Sequence, residues 1–234
     1  MRNIETIGVV GAGLMGSGIA QVCAMAGLNV VLRDISEEAV QGGVKSIASL
    51  LERAVGKGKL SAAEKDAALS RIHATTDLAQ LSNADFIIEA ATENPELKLR
   101  ILKEVDSLAK ADAIIATNTS SISITKLGGS ISRPHQFVGM HFFNPVPVME
   151  LVELIRGIQT SDETVAAAEA LALRIGKKPI QVKNSPGFAV NRILVPMINE
   201  AIFVLQEGLA TPEDIDAGMK LGCNHPIGPL ALAD

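Results

Sequence analysis

The run Gly11-Ala12-Gly13-Leu14-Met15-Gly16, with the acid Asp34 18 positions beyond its last glycine, has the spacing needed to hold a dinucleotide. The first glycine permits a tight turn, the second lets backbone approach a pyrophosphate, and the third lets helix and strand pack closely. Free amides at the helix start attract the phosphate charge. The apolar stretch ETIGVV precedes the run and an amphipathic stretch follows it, the strand-to-helix context that separates this fingerprint from a bare glycine turn. Asp34 is placed to accept hydrogen bonds from an adenosine ribose and to repel a 2′-phosphate. NAD is therefore expected over NADP, with the adjacent Arg33 as the feature favouring the phosphate.

A second group of residues suits proton transfer. Glu153 alternates with Met149, Leu151 and Ile155 along an expected strand at 148–155, and a carboxylate among apolar neighbours needs a partner. The turn Asn144-Pro145-Val146-Pro147 folds that strand back beside the one at 136–142 that holds His141. In a His141–Glu153 pair the acid would fix the imidazole tautomer, leaving the other ring nitrogen to remove a hydroxyl proton. Spacing alone also allows a packed core histidine beside a chance buried glutamate. The stretch Asn118-Thr119-Ser120-Ser121 ends another expected strand, on the edge where open α/β sheets bind ligands. Its hydroxyls either serve a substrate or nicotinamide, or cap a loop.

What the chain lacks narrows the chemistry. Without Tyr or Trp, no phenol can act as acid or base. Cys23 and Cys223 are its two cysteines, too few for a disulfide framework or a cysteine-rich zinc site. His73, His135, His141 and His225 follow no metal-ligand spacing, so an organic cofactor rather than a metal is expected. A net charge of −5 argues against a general nucleic-acid binder. No apolar run reaches the roughly 18–20 residues of a membrane span, and the N-terminus begins a strand rather than a signal peptide, so the expected location is the cytoplasm.

These residues need a scaffold, and the pattern supplies one. At 234 residues, with 47% hydrophobic and 20% charged, the chain has material for one large domain and an appendage. Apolar runs at 5–10, 29–33, 72–75, 85–90 and 113–117 alternate with amphipathic stretches at 14–26, 36–55, 61–70 and 95–109. That order predicts a Rossmann-type, mostly parallel sheet with helices on both faces. Ser61-Ala62-Ala63-Glu64 reads as a capping box. Two successive helices between the second and third strands make an excursion from the sheet. Within it, from Gly43 to Leu60, Lys45, Arg53, Lys57 and Lys59 stand against one acid, Glu52, which fits an anionic ligand or a solvated helix face. A loop after Ser120, strands at 136–142, 148–155 and 179–183, and a helix at 162–175 complete a first domain at 1–184. Asn184-Ser185-Pro186-Gly187 reads as a linker. A helical domain at 185–234 follows, with a largely apolar helix at 189–207 and another capped by Thr211.

In order, GAGLMGSGIAQ, ATNTSS, GMHFFNPVPVMELVE, NSPGFAVNRIL and HPIGPL resemble the L-3-hydroxyacyl-CoA dehydrogenase family, nearest its bacterial 3-hydroxybutyryl-CoA branch. The likeness spans the whole chain. It implies an NAD-dependent enzyme that oxidises the 3-hydroxyl of an acyl-CoA or reduces the 3-ketone, with His141 as base, Glu153 as the acid that orients it, and Ser120 and Asn191 on the substrate oxygens in a cleft between domains. It further implies that Glu93, Lys98 and Asn144 lie at the NAD and that Lys57 and Lys59 meet coenzyme A. Two other readings are a sugar-acid dehydrogenase of the same fold, which needs no coenzyme A surface, and a non-catalytic NAD-binding protein.

The resembling enzymes continue for roughly fifty residues beyond Asp234, about three helices of ordinary length. The chain is therefore expected to be incomplete. Its helix at 189–207 is expected to be covered on several sides by a homodimer or larger oligomer.

Overall fold

A computed structural model describes residues 3–234 and divides into two compact units, the first ending at Pro186 and the second running Gly187–Asp234. In the first unit, β1 (Thr6–Val10) leads through the glycine turn into α1 (Leu14–Met25), and β2 (Asn29–Arg33) follows. The excursion consists of α2 (Glu37–Gly56) and α3 (Ala62–Ser70). The expected capping box forms at α3: Glu64 N donates to Ser61 Oγ (3.2 Å) and Ser61 N to Glu64 Oε2 (2.8 Å). Then come β3 (Ile72–Thr75), β4 (Phe86–Glu89), α4 (Pro95–Leu108) and β5 (Ile114–Thr117). The unit closes with α5 (Ile124–Gly128), β6 (Phe137–Phe142), β7 (Leu151–Arg156), α6 (Asp162–Arg174) and β8 (Lys178–Lys183).

The strands form one sheet in the order β3-β2-β1-β4-β5-β6-β7-β8. Pairing is parallel except between β6 and β7. Strand order reverses between β1 and β4, and in such a sheet the crevice beyond the strands' C-terminal ends at that reversal is the natural ligand site. Strands β4, β5 and β6 are buried along their whole length, as their continuous apolar runs require when both faces are covered.

The structure corrects the sequence reading in four places. The stretch read as a loop after Ser120 contains α5, capped by Ser123, whose Oγ accepts from Lys126 N. Strand β7 begins at Leu151, not 148: the amides of Val148 and Met149 both donate to the Pro145 carbonyl, so the turn is longer than the Asn-Pro-Val-Pro run. Both faces of β7 are buried from Val152 to Ile155, with α5 and α6 packed against the strand, so alternation does not single out one apolar face there. Asn184 is also more than a linker residue, since its Oδ1 accepts from Ile124 N and its Nδ2 donates to Ser123 Oγ.

The second unit contains α7 (Val190–Gln206), α8 (Pro212–Gly222) and the short α9 (Pro229–Ala233), which the sequence reading did not foresee. Ala201 is the buried residue of α7, whereas Ile193 and Val195 are 71% and 59% exposed. Among the described residues, no helix is long and apolar enough to cross a membrane.

Candidate active site

The glycine turn is shaped by contacts that a side chain would destroy. Gly11 has φ +104°, and a Cβ there would lie 2.6 Å from the Ala90 carbonyl oxygen. At Gly16 it would lie 1.8 Å from the Gly11 oxygen, so α1 sits directly against the turn. A Cβ at Gly13 would meet nothing within 4 Å, which leaves the middle of the turn open to an incoming group. No side chain caps the start of α1.

Gly13, Leu14 and Met15 line a cavity of about 270 Å³ with Ala90, Ala91, Thr92, Glu93, Lys98 and Asn118. A neighbouring cavity of about 310 Å³ shares Ala91 and Thr92 and adds Arg33, Asp34, Ile35 and Arg100. Asp34 Oδ2 accepts from Ala12 N (2.6 Å) and Oδ1 from Ile35 N (2.7 Å). Each oxygen therefore keeps capacity for a second donor. The open turn, uncapped helix start and cavity acid fit a dinucleotide in both size and charge.

His141 and Glu153 are direct partners in the antiparallel β6–β7 ladder. His141 Nδ1 lies 2.7 Å from Glu153 Oε2, and both residues are buried. His141 Nε2 lies 3.1 Å from Ser120 Oγ on the loop after β5. That loop is held by Glu93, whose Oε2 accepts from Thr119 Oγ1 (2.7 Å) and whose Oε1 accepts from Ser120 N (2.9 Å). Four of the residues singled out from sequence thus form one connected group: Glu93, Ser120, His141 and Glu153. The Phe143 ring packs against the imidazole, with centroids 4.6 Å apart. With an ionised carboxylate at Nδ1, the imidazole carries its proton there and presents a lone pair at Nε2.

Other expected residues lie outside this hydrogen-bonded group. Lys98 is 1% exposed, and its Nζ bonds to Glu89 Oε2 at 2.5 Å. Asn144 is exposed on the turn after β6, and Asn191 lies in the first turn of α7 in the second unit. Lys59 lines a larger cleft of about 630 Å³, whose walls include Val22 and Met25 of α1, Leu51 of α2, Pro145, Pro147 and Arg174. Lys57 is exposed beside it in sequence but does not line that cleft.

Sequence reasoning passed over Glu89 and Thr117, which lie at the ends of β4 and β5 with no exposure. An acid closing the apolar run Phe86-Ile87-Ile88 was the available signal, because a carboxylate there must find a partner.

The family model described as "3-hydroxyacyl-CoA dehydrogenase, NAD binding domain" matches residues 6–185, and that of the C-terminal domain of the same enzymes matches 187–234. A 3-hydroxybutyryl-CoA dehydrogenase of Bradyrhizobium diazoefficiens is 50% identical over 231 residues, covering 99% of this chain and 79% of that protein. One from Clostridioides difficile is 47% identical over 228 residues, covering 97% of this chain and 81% of the relative. The crystal structure of the (S)-3-hydroxybutyryl-CoA dehydrogenase PaaH1 from Ralstonia eutropha superposes with a TM-score of 0.97 at 64% identity, covering 99% of this chain and 82% of that one.

Proposed function

The chain belongs to the 3-hydroxyacyl-CoA dehydrogenase family, and from that premise we propose that it interconverts 3-hydroxybutyryl-CoA and acetoacetyl-CoA with NAD, using His141 as base in one direction and acid in the other. The observation that carries this reading is the imidazole itself, fixed at Nδ1 by the buried Glu153 and facing Ser120 through Nε2.

The turn from Gly11 to Gly16, Asp34, Glu93, Lys98 and Asn144 would hold NAD. The chemistry NAD supplies when bound is acceptance or donation of a hydride. In oxidation, neutral His141 removes the proton of the 3-hydroxyl at Nε2 as the C3–H bond gives up its electron pair with the hydrogen. Glu153 stays ionised and stabilises the imidazolium that forms. In reduction, protonated Nε2 returns the proton to the carbonyl oxygen. Ser120 Oγ, so close to Nε2, suits a substrate-oxygen donor, and the resemblance gives Asn191 the same role. The cost of bringing the two reactants together is met by binding, which is why positioning residues matter as much as the base.

The acyl-CoA assignment draws support from the 630 Å³ cleft, where an apolar wall is bordered by the cations Lys59 and Arg174. Coenzyme A offers both an extended thiol arm and anionic phosphates, and Lys57 adds a further charge close in sequence. A sugar acid would need no such surface. The exposed apolar side chains of α7 support a homodimer or larger homo-oligomer formed through the second unit.

The test is direct: acetoacetyl-CoA added to the protein and NADH should consume NADH absorbance at a rate proportional to protein. No consumption with a folded protein would refute the reading.

A further inference from the structure

Three buried polar side chains meet behind the cavity lined by the glycine turn. Glu89 ends β4, Thr117 ends β5 and Lys98 projects from α4, none more than 1% exposed. Glu89 Oε2 accepts from Lys98 Nζ at 2.5 Å and from Thr117 Oγ1 at 2.6 Å, while Oε1 accepts from Ala91 N at 2.9 Å. Lys98 Nζ also lies 3.3 Å from Thr117 Oγ1. One carboxylate therefore ties two strand ends, the loop after β4 and the following helix. Lys98 nonetheless lines the 270 Å³ cavity. An ammonium has three N–H donors, and with two directed at Glu89 and Thr117 it keeps capacity for one further acceptor.

The charge of this arrangement has a chemical consequence. An unpaired ammonium in a buried wall would project a positive potential into the cavity, whereas a Lys–Glu pair at 2.5 Å leaves a hydrogen-bond donor with little net charge. The oxidised and reduced dinucleotides differ by one positive charge on the nicotinamide ring. A charge in the wall discriminates between them; contacts shared by the two forms do not. Glu93 lines the same cavity, and its contribution is constant when Glu89 or Lys98 is changed.

We propose that Glu89 is a positioning residue for the cofactor: it aims Lys98 into the cavity and cancels its charge, so that the wall does not disfavour the oxidised dinucleotide. This rests on the reading above that the cavity takes up NAD.

The experiment measures Kd for NAD⁺ by calorimetry and for NADH by its fluorescence, which no tryptophan in the chain obscures. The full chain is compared with Glu89→Gln, Lys98→Met and the double variant Glu89→Gln/Lys98→Met. In Glu89→Gln the ratio Kd(NAD⁺)/Kd(NADH) should rise by about tenfold or more, the factor for one uncompensated charge about 12 Å away or nearer at an effective dielectric constant near 20. In Lys98→Met it should fall by at least about threefold. The double variant should return to within about threefold of the wild-type ratio while binding both forms more weakly, since the donor is lost.

Equal weakening of both forms in Glu89→Gln would overturn the proposal and leave a purely structural pair. If that variant does not fold, a ratio in Lys98→Met at or above the wild-type value overturns it instead. Wild-type protein that binds neither form would refute the cavity assignment itself, a different failure from an unmoved ratio with binding intact.

Discussion

His141 stands directly opposite Glu153 across the antiparallel β6–β7 ladder, with 2.7 Å between Nδ1 and Oε2. Facing residues on paired strands lie on the same side of the sheet, so the register that builds the sheet also builds the dyad. Burial makes the pairing consequential. An ionised carboxylate with no exposure is tolerated only when its partner is in place, and removing one member of such a pair costs about 3–5 kcal/mol. The same contact that stabilises the strands therefore fixes the orientation and tautomer of the base.

Cofactor choice should follow Asp34. Both of its oxygens are anchored by the turn amides of Ala12 and Ile35, so the carboxylate is held at the cavity wall, where it opposes a 2′-phosphate. NADH should be preferred to NADPH in kcat/KM, and Asp34→Ser should narrow the preference, with Arg33 then able to meet the phosphate. Comparable values for the two cofactors in the unmutated protein would contradict this.

Lys57 and Lys59 should act on the nucleotide end of the substrate. Replacing both with Gln should raise the KM for acetoacetyl-CoA several-fold and weaken its salt dependence, since exposed charges act through a screened field. A short acetoacetyl thioester lacking the nucleotide should be indifferent. Equal effects on both substrates would show that the lysines matter only to folding or to surface charge.

The two cysteines should react very differently. Burial pushes the Cys23 thiol up to about 12, against the opposing pull of Arg174 and Lys177, so at pH 8 it is protonated and enclosed. Cys223 is exposed. Iodoacetamide at pH 8 should label Cys223 in the native protein and Cys23 only after unfolding. Because the unfolded thiol ionises first, near pH 8.5, this group's contribution to stability is present below that value and is lost as pH rises from there towards 12. Rapid native labelling of Cys23 would show that the helix α1 core opens readily.

The apolar side chains of α7, including Ile193 and Val195, should be covered in solution by a second copy. Sedimentation should show a dimer or larger species, and Ile193→Lys should shift it towards monomer. A compact, stable monomer in the unmutated protein would remove this proposal.

Much of the site was legible because local rules and global fold agree. The glycine run is read from strand, turn and helix together, and Gly11 and Gly16 occupy positions where any side chain would collide. Glu153 was reached by a partly mistaken route: the strand begins later than the pattern suggested, and both of its faces are buried. The conclusion survived because a buried carboxylate needs a partner on either face. Glu89 was passed over although the same argument applies to it, since its partner Thr117 is brought by the β4–β5 pairing and Lys98 by the fold of α4. Such contacts between residues far apart in sequence have no local periodicity. Short elements such as α5 and α9, five residues each, are likewise fixed by capping and packing rather than by a repeating apolar pattern.

The central claim is that His141 and Glu153 act as one unit. The most direct test is NADH-dependent reduction of acetoacetyl-CoA by the unmutated protein, His141→Gln, Glu153→Gln and the double variant, with thermal unfolding measured alongside. Each single change should lower kcat by ~10²–10⁴-fold, and the double variant should fall little below the worse single one, because the acid works only through the base. Near-normal turnover in a folded Glu153→Gln protein, or losses in the two single variants that multiply in the double, would contradict the account.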